Sequence, residues 1–307
     1  MRFTSYNTLD LGAPGWPRGR EHYRRVAGVI TSLRPDVLAV QEIRGSTPVR
    51  ARQLLRALAR DTGLTGEIPA AGGGEPQVAL AIGSRGYHCG LLWRPDLEVL
   101  PGSFRESGPG ALWHCAGWAT FRLGGTLVRH ASFHATPFGR ELRAQQSTAL
   151  LTLLQSGPDG GLPLLIGADW NGESADPRPA GTSGPPGLYE PGDPFADASW
   201  RDDMVHQCVR APDGGHRVDR SAGRVLLDGG LTDAAAALAA PWQPTCGHYP
   251  GDGYGAHGIR RRIDAIRVTR PVLPALRSHH VTDTGQTRRA SDHLPVTIEY
   301  DPAAIAG

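Results

Sequence analysis

Polar side chains of a particular kind stand where short apolar runs of this chain end: Asn7, Glu42, His134, Asp169 with Asn171, Asp264, and Asp292 with His293. Each alone has an ordinary explanation. Asn7 suits a turn, Glu42 a pairing with Arg44, and Asp169 and Asn171 an Asx turn around Trp170. His134 suits a satisfied core histidine, and Asp264 an ion pair with the arginines before it. Gathered at one edge of a folded core, the set has a chemistry of its own. Carboxylates and an Asn can hold a hard divalent cation such as Mg²⁺, with Mn²⁺ as its substitute. Such an ion takes few protein oxygens and keeps water and substrate phosphate in its other positions. On that reading Glu42 is the principal ligand, Asp292 lies near it, and Asn7 touches metal or phosphate. The ion would neutralise a non-bridging phosphate oxygen. Asn171 orients the attacking water or donates to the phosphate, Asp169 accepts a proton, and His293 binds phosphate or acts as base. Between Asp169 and His293 as proton acceptor the sequence does not choose.

Strands that end together are needed to position such a set. Residues 1–8 read as an opening strand, and 21–33 as a helix stopped at Arg34-Pro35. Residues 36–43 are an apolar run suited to a buried strand that delivers Gln41 and Glu42 at its far end. A helix is predicted over 49–59, and strands over 78–82, 90–93 and 97–100. Gly124-Gly125 between 117–123 and 126–133 is a two-residue hairpin signal. A helix over 141–154 precedes a buried strand over 162–167 that ends in Ala-Asp-Trp-Asn. Residues 172–230 are rich in Gly, Pro and Asp, with one short helix expected around 197–209, and read as an insertion over a functional face. Two further strands, 262–268 and 296–300, bracket a polar loop. The mixture of hairpins and helical connections predicts an α/β protein with mixed sheets, here as one unit of 307 residues.

Bulk composition narrows the classes. Hydrophobic content of 39% and charged content of 20% are those of a folded globular chain, not a disordered one. A formal charge of +2 announces neither a strongly basic nor an acidic partner. All 32 basic residues are Arg, so every such cation is a planar fork suited to phosphate or carboxylate. The four Cys form no C-x-x-C pair and lean towards a reduced compartment. No apolar leader and no membrane-spanning run is visible, so a cytoplasmic location is expected.

The order of these residues resembles the endonuclease/exonuclease/phosphatase superfamily. S-Y-N ends the first strand at Asn7, V-Q-E-I-R carries Glu42, and S-F-H-A-T-P carries His134. G-A-D-W-N holds Asp169 and Asn171, R-I-D holds Arg262 and Asp264, and S-D-H-L-P holds Asp292 and His293. The resemblance implies a deoxyribonuclease I-like fold, a four-layer α/β/β/α sandwich with two central mixed sheets. It also implies a magnesium-dependent phosphoester hydrolase in which Asp264 partners His293, and His134 contacts phosphate or serves as acid. Two departures stand out: Tyr6 replaces the more usual Trp, and one residue separates Gly167 from Asp169. Neither removes a charged group.

Q-E-I-R-G-S followed by L-L-W-R-P-D resembles secreted deoxyribonucleases more than inositol phosphatases. That resemblance implies Arg44 in a minor groove, with Arg85 or Tyr87 nearby. Arg262, with Arg260 and Arg261, is expected to draw in an anionic substrate. A nuclease or phosphodiesterase is the favoured reading. A hydrolase of a small phosphorylated metabolite, lidded by the insertion, and an idle binding member of the fold are the alternatives.

Overall fold

The computed structural model describes all residues except 13–18, 158, 180–186, 191, 197–205, 213, 250–257 and 307. The opening apolar run forms strand Arg2–Leu11 in the middle of a six-stranded sheet. Across that sheet the order is Leu276–Val281, Val296–Tyr300, Arg2–Leu11, Val37–Arg44, Tyr87–Trp93 and Leu80–Ala81. A seven-stranded sheet lies against it. Its main path runs Leu231–Asp233, Asp264–Thr269, Leu164–Asp169, Thr126–His134, Cys115–Leu123 and Glu98–Val99, and Arg105–Ser107 also pairs with Cys115–Leu123. Both sheets mix parallel and antiparallel neighbours.

Strand alternation divides the side chains between cores. In Val37–Arg44, Val37 and Ala39 enter the core between the sheets, while Leu38 and Val40 face the opposite way. That opposite face is covered by helices Gly19–Leu33 and Pro48–Thr62, through Val26, Val29, Ile30, Ala51, Leu55 and Leu58. Strand Leu164–Asp169 does the same in the second sheet: Leu165 points between the sheets, and Leu164 and Ile166 point outward. There they meet Leu150 and Leu154 of helix Arg140–Gln155 and Leu226 of helix Ser221–Asp228. The result is the expected α/β/β/α sandwich. Where Gly167 faces Ser5 and Ala39 the sheets come very close. A Cβ on Gly167 would lie 2.8 Å from the Ser5 Cβ and 3.0 Å from the Ala39 Cβ, so only glycine fits there. Gln41 Nε2 crosses the gap to Ser132 Oγ (3.1 Å) and the Gly167 carbonyl (3.3 Å).

Several elements differ from expectation. The polar loop after Asp264–Thr269 contains an edge strand, Leu276–Val281, and a short helix, Gly285–Ala290, closed by a Thr284/Thr287 capping box. Strand Leu231–Asp233 is a further element that the sequence pattern does not signal. Within 172–230 the structure has a hairpin, Cys208–Arg210 with His216–Val218, and helix Ser221–Asp228. Most of the helix expected around 197–209 lies outside the described residues. Its end is a strand, because Cys208–Arg210 pairs with His216–Val218.

Candidate active site

Register lines up the site. Parallel pairing of Thr126–His134 with Leu164–Asp169 sets His134 opposite Asp169, and antiparallel pairing with Asp264–Thr269 sets Asp169 opposite Asp264. Three adjacent strand ends thus carry one row of functional groups. In the other sheet Asn7 lies opposite Gln41, one residue before Glu42. Pairing there breaks between Asn7 and Leu11 and between Val40 and Ile43. At the break Leu9, Asp10 and Glu42 take positive φ (50°, 53° and 64°). For such residues left-handed backbone costs roughly 1–3 kcal/mol each, and a bulge of this kind re-aims a side chain.

Side-chain bonds then draw the two sheet edges together. Asn7 Nδ2 donates to Glu42 Oε1 (3.0 Å) and to Asp169 Oδ2 (2.9 Å). Glu42 Oε2 accepts from the Asp10 amide at 2.8 Å. The Asn171 amide donates to Asp169 Oδ1 (2.9 Å), and Asn171 Nδ2 donates to the Ala135 carbonyl (3.0 Å). Two imidazoles reach the same carboxylate oxygen: Nε2 of His134 lies 3.4 Å from Asp169 Oδ2, and Nε2 of His293 lies 3.7 Å from it. Across its ring, His293 Nδ1 sits 2.8 Å from Asp264 Oδ2, which fixes the ring's orientation. Ser291 Oγ donates to the Asn7 carbonyl (2.8 Å), seating the Ser-Asp-His segment on the first strand, and lies 3.3 Å from Asp292 Oδ1.

Burial and charge oppose each other here. Burial would raise the Asp169 pKa, but His293, His134 and the Asn171 amide outweigh it and hold the carboxyl below its usual range. Burial would lower His293, yet Asp264, Asp292 and Asp169 surround it and hold it well above the ordinary imidazole value. His134 is also raised, because its bond to Asp169 and the charges of Asp169 and Glu42 outweigh desolvation. Both rings at the site are therefore more basic than a free imidazole.

Asn7, Glu42, His134, Asp169, Asn171, Asp264, Asp292 and His293 are thus brought together from both sheets. Arg44 stands beside them, paired with Asp10 (3.1 Å) and stacked 3.8 Å over the Tyr87 ring. Arg262 does not join them. It is buried, with its guanidinium on Asp233 and on Glu190 (2.9 Å), so it offers no cation to a substrate. This corrects its expected role. Arg261 is likewise turned to Gln207, while Arg260 is exposed. His114 was missed: it stacks on His134 at 4.1 Å with 17° between the rings, and burial with the His134 charge pushes its pKa down to about 2. Thr245 was missed as well; its Oγ1 accepts from the Asp264 amide at 3.1 Å.

A two-sheet sandwich with acids and imidazoles at the strand ends defines a class, and comparison with known proteins agrees. The Endonuclease/Exonuclease/phosphatase family model matches residues 5–293, and the chain belongs to that family. Its members are hydrolytic phosphoesterases. Among solved structures, the chain is similar to an endonuclease/exonuclease/phosphatase from Bacteroides vulgatus (TM-score 0.62, 18% identity, 98% of each chain covered). It is also similar to an AP endonuclease from Archaeoglobus fulgidus (TM-score 0.58, 17% identity, 98% of this chain and 99% of that one). A third likeness is to the human Nocturnin catalytic domain with bound sulfate (TM-score 0.56, 17% identity, 98% of this chain and 94% of that one). At such identities these likenesses bear on the fold alone. A search of curated proteins finds no matching sequence.

Proposed function

We propose that this protein is a divalent-metal-dependent phosphodiesterase acting on nucleic acid. The observation that carries the reading is a single carboxylate, Asp169, reached at once by Asn7, His134 and His293 from three other segments of the chain. The donor set fits a hard cation. Glu42 and Asp169 each place a carboxylate oxygen within 4.8 Å of the other, and Glu42 is the more accessible of the two. Each Glu42 oxygen accepts one hydrogen bond, which leaves lone pairs for an ion. Glu42 and Asp292 would hold Mg²⁺ or Mn²⁺, with Asn7 beside them. When bound, the ion would neutralise a non-bridging phosphate oxygen.

The chain's own groups supply the rest. Asn171, tied through Nδ2 to Ala135, leaves its Oδ1 to orient the attacking water. As water adds to phosphorus and the bond to the leaving oxygen breaks, Asp169 takes the water's proton and the leaving oxygen takes one from His134. His293, oriented by Asp264 and more basic than a free imidazole, donates from Nε2 to a phosphate oxygen. His134 serves as a second donor on the same face, and Arg44 as an outlying phosphate contact. The test is a panel of plasmid, oligonucleotide and small phosphoester substrates with Mg²⁺, paired with EDTA controls. Oligonucleotide cleavage abolished by EDTA is expected. Turnover of small monoesters alone would overturn the reading.

A further inference from the structure

Beyond the acids, one side of the site is bordered by a ledge of two groups of rings and guanidinium groups, joined where Trp113 and His114 adjoin in the chain. Arg44 lies over Tyr87, and the Tyr87 ring meets His114 edge-on at 5.3 Å. Trp113, next along the chain, meets Phe138 at 6.0 Å with 77° between rings, and Phe138 meets His206 at 5.2 Å and 82°. Arg85 stands 5.2 Å from the Trp113 ring centroid. This ledge joins the catalytic groups at two points. His114 stacks on His134, and Phe138 follows His134 by four residues in a loop fixed by the bond from the Phe138 amide to Thr136 Oγ1 (3.2 Å). Phe138 is 38% exposed, and among the described residues only Val49 is another exposed large hydrophobic side chain. An exposed Phe set nearly perpendicular to a half-buried Trp, with an exposed arginine alongside, offers apolar ring surface to a flat group and a cation to an anion.

We infer that the Trp113–Phe138 corner takes an unpaired nucleobase of the substrate strand, with Arg85 beside the next phosphate. The inference rests on the phosphodiesterase reading and narrows it to single-stranded nucleic acid. Alternating aromatic faces and cations match a strand whose bases are free to stack, whereas duplex pairing covers those faces.

Two measurements test it. In the first, kcat/KM is compared for thymidine 5′-(4-nitrophenyl phosphate) and methyl 4-nitrophenyl phosphate, which share a leaving group and differ in that methyl replaces the nucleoside. Wild type should prefer the nucleoside diester, and Phe138→Ala and Trp113→Ala should each cut that preference by roughly tenfold or more. A preference that neither variant moves overturns the inference. In the second, binding of thymidine 3′,5′-bisphosphate and of inorganic phosphate is measured by calorimetry, which needs no turnover. Tighter nucleotide binding that Phe138→Ala weakens supports the corner even if no diester is cleaved, an outcome that would defeat the phosphodiesterase reading alone. Equal affinity for nucleotide and phosphate overturns the corner.

Discussion

At the scale of single residues, the site is a contest between burial and charge, and its outcome sets each role. Asp169 remains ionised in a buried place because two imidazoles and a backbone amide compensate it. Replacing it with Asn removes the proposed proton acceptor and keeps the shape. Asp169→Asn and His293→Ala should each lower kcat by roughly a hundredfold or more while circular dichroism stays native. Rates equal to wild type would remove these groups from the chemistry. Most of the cluster was legible in sequence, since motif spacing already singled out Asn7, Glu42, His134, Asp169, Asn171, Asp264, Asp292 and His293. Arg262 was misread for a physical reason: its partners Glu190 and Asp233 lie 72 and 29 residues away, and nothing local shows that its charge is used. His114 had a readable signal. The Gly124-Gly125 turn fixes a register that sets His134 opposite Cys115, which puts His114 one residue past the pair.

Among elements, close approach of the two sheets is what lets one cluster draw on both. Gly167 sits at that contact, so Gly167→Val should push Ser5 and Ala39 away and destabilise the fold by about 1–3 kcal/mol. Chemical denaturation measures the loss, and an unchanged midpoint would mean the sheets have slack there. Elements with strong periodicity or turn chemistry were legible from sequence. The hairpin is one example, because both Gly124 and Gly125 adopt the positive φ (57° and 89°) that its turn requires. Edge strand Leu276–Val281 was not legible, since Arg277, His279 and His280 interrupt any apolar alternation. Helix Ser221–Asp228 was masked by the Gly- and Asp-rich composition around it, although Ala222 and Leu226 are buried at helical spacing.

Over the whole molecule, histidine burial predicts how stability follows pH. His130 lies between Phe3 and Phe121, bonded to the Tyr300 hydroxyl at 3.0 Å, and burial pushes its pKa down to about 3. His114 behaves alike, with a value of about 2. The unfolded chain binds these protons below ~6.5 and the native chain does not, so each such group makes stability fall as pH drops from ~6.5 towards the lowered value, by up to about 1.4 kcal/mol per unit. Denaturant titrations at pH 7 and pH 5 should show His130→Phe to be less acid-sensitive than wild type, and an equal sensitivity would contradict the neutral assignment. The sandwich, with its helical outer layers, is in the end a frame for bringing Glu42 to the Asp and His pairs of the other strands. The central measurement is therefore the rate of diester cleavage as Mg²⁺ or Mn²⁺ is returned to EDTA-treated protein, for wild type and for Glu42→Gln. Activity should reappear with metal, and Glu42→Gln should need roughly tenfold more metal or better for half-maximal rate. Activity that survives EDTA, or a Glu42→Gln variant with the wild-type metal dependence, would contradict the assignment.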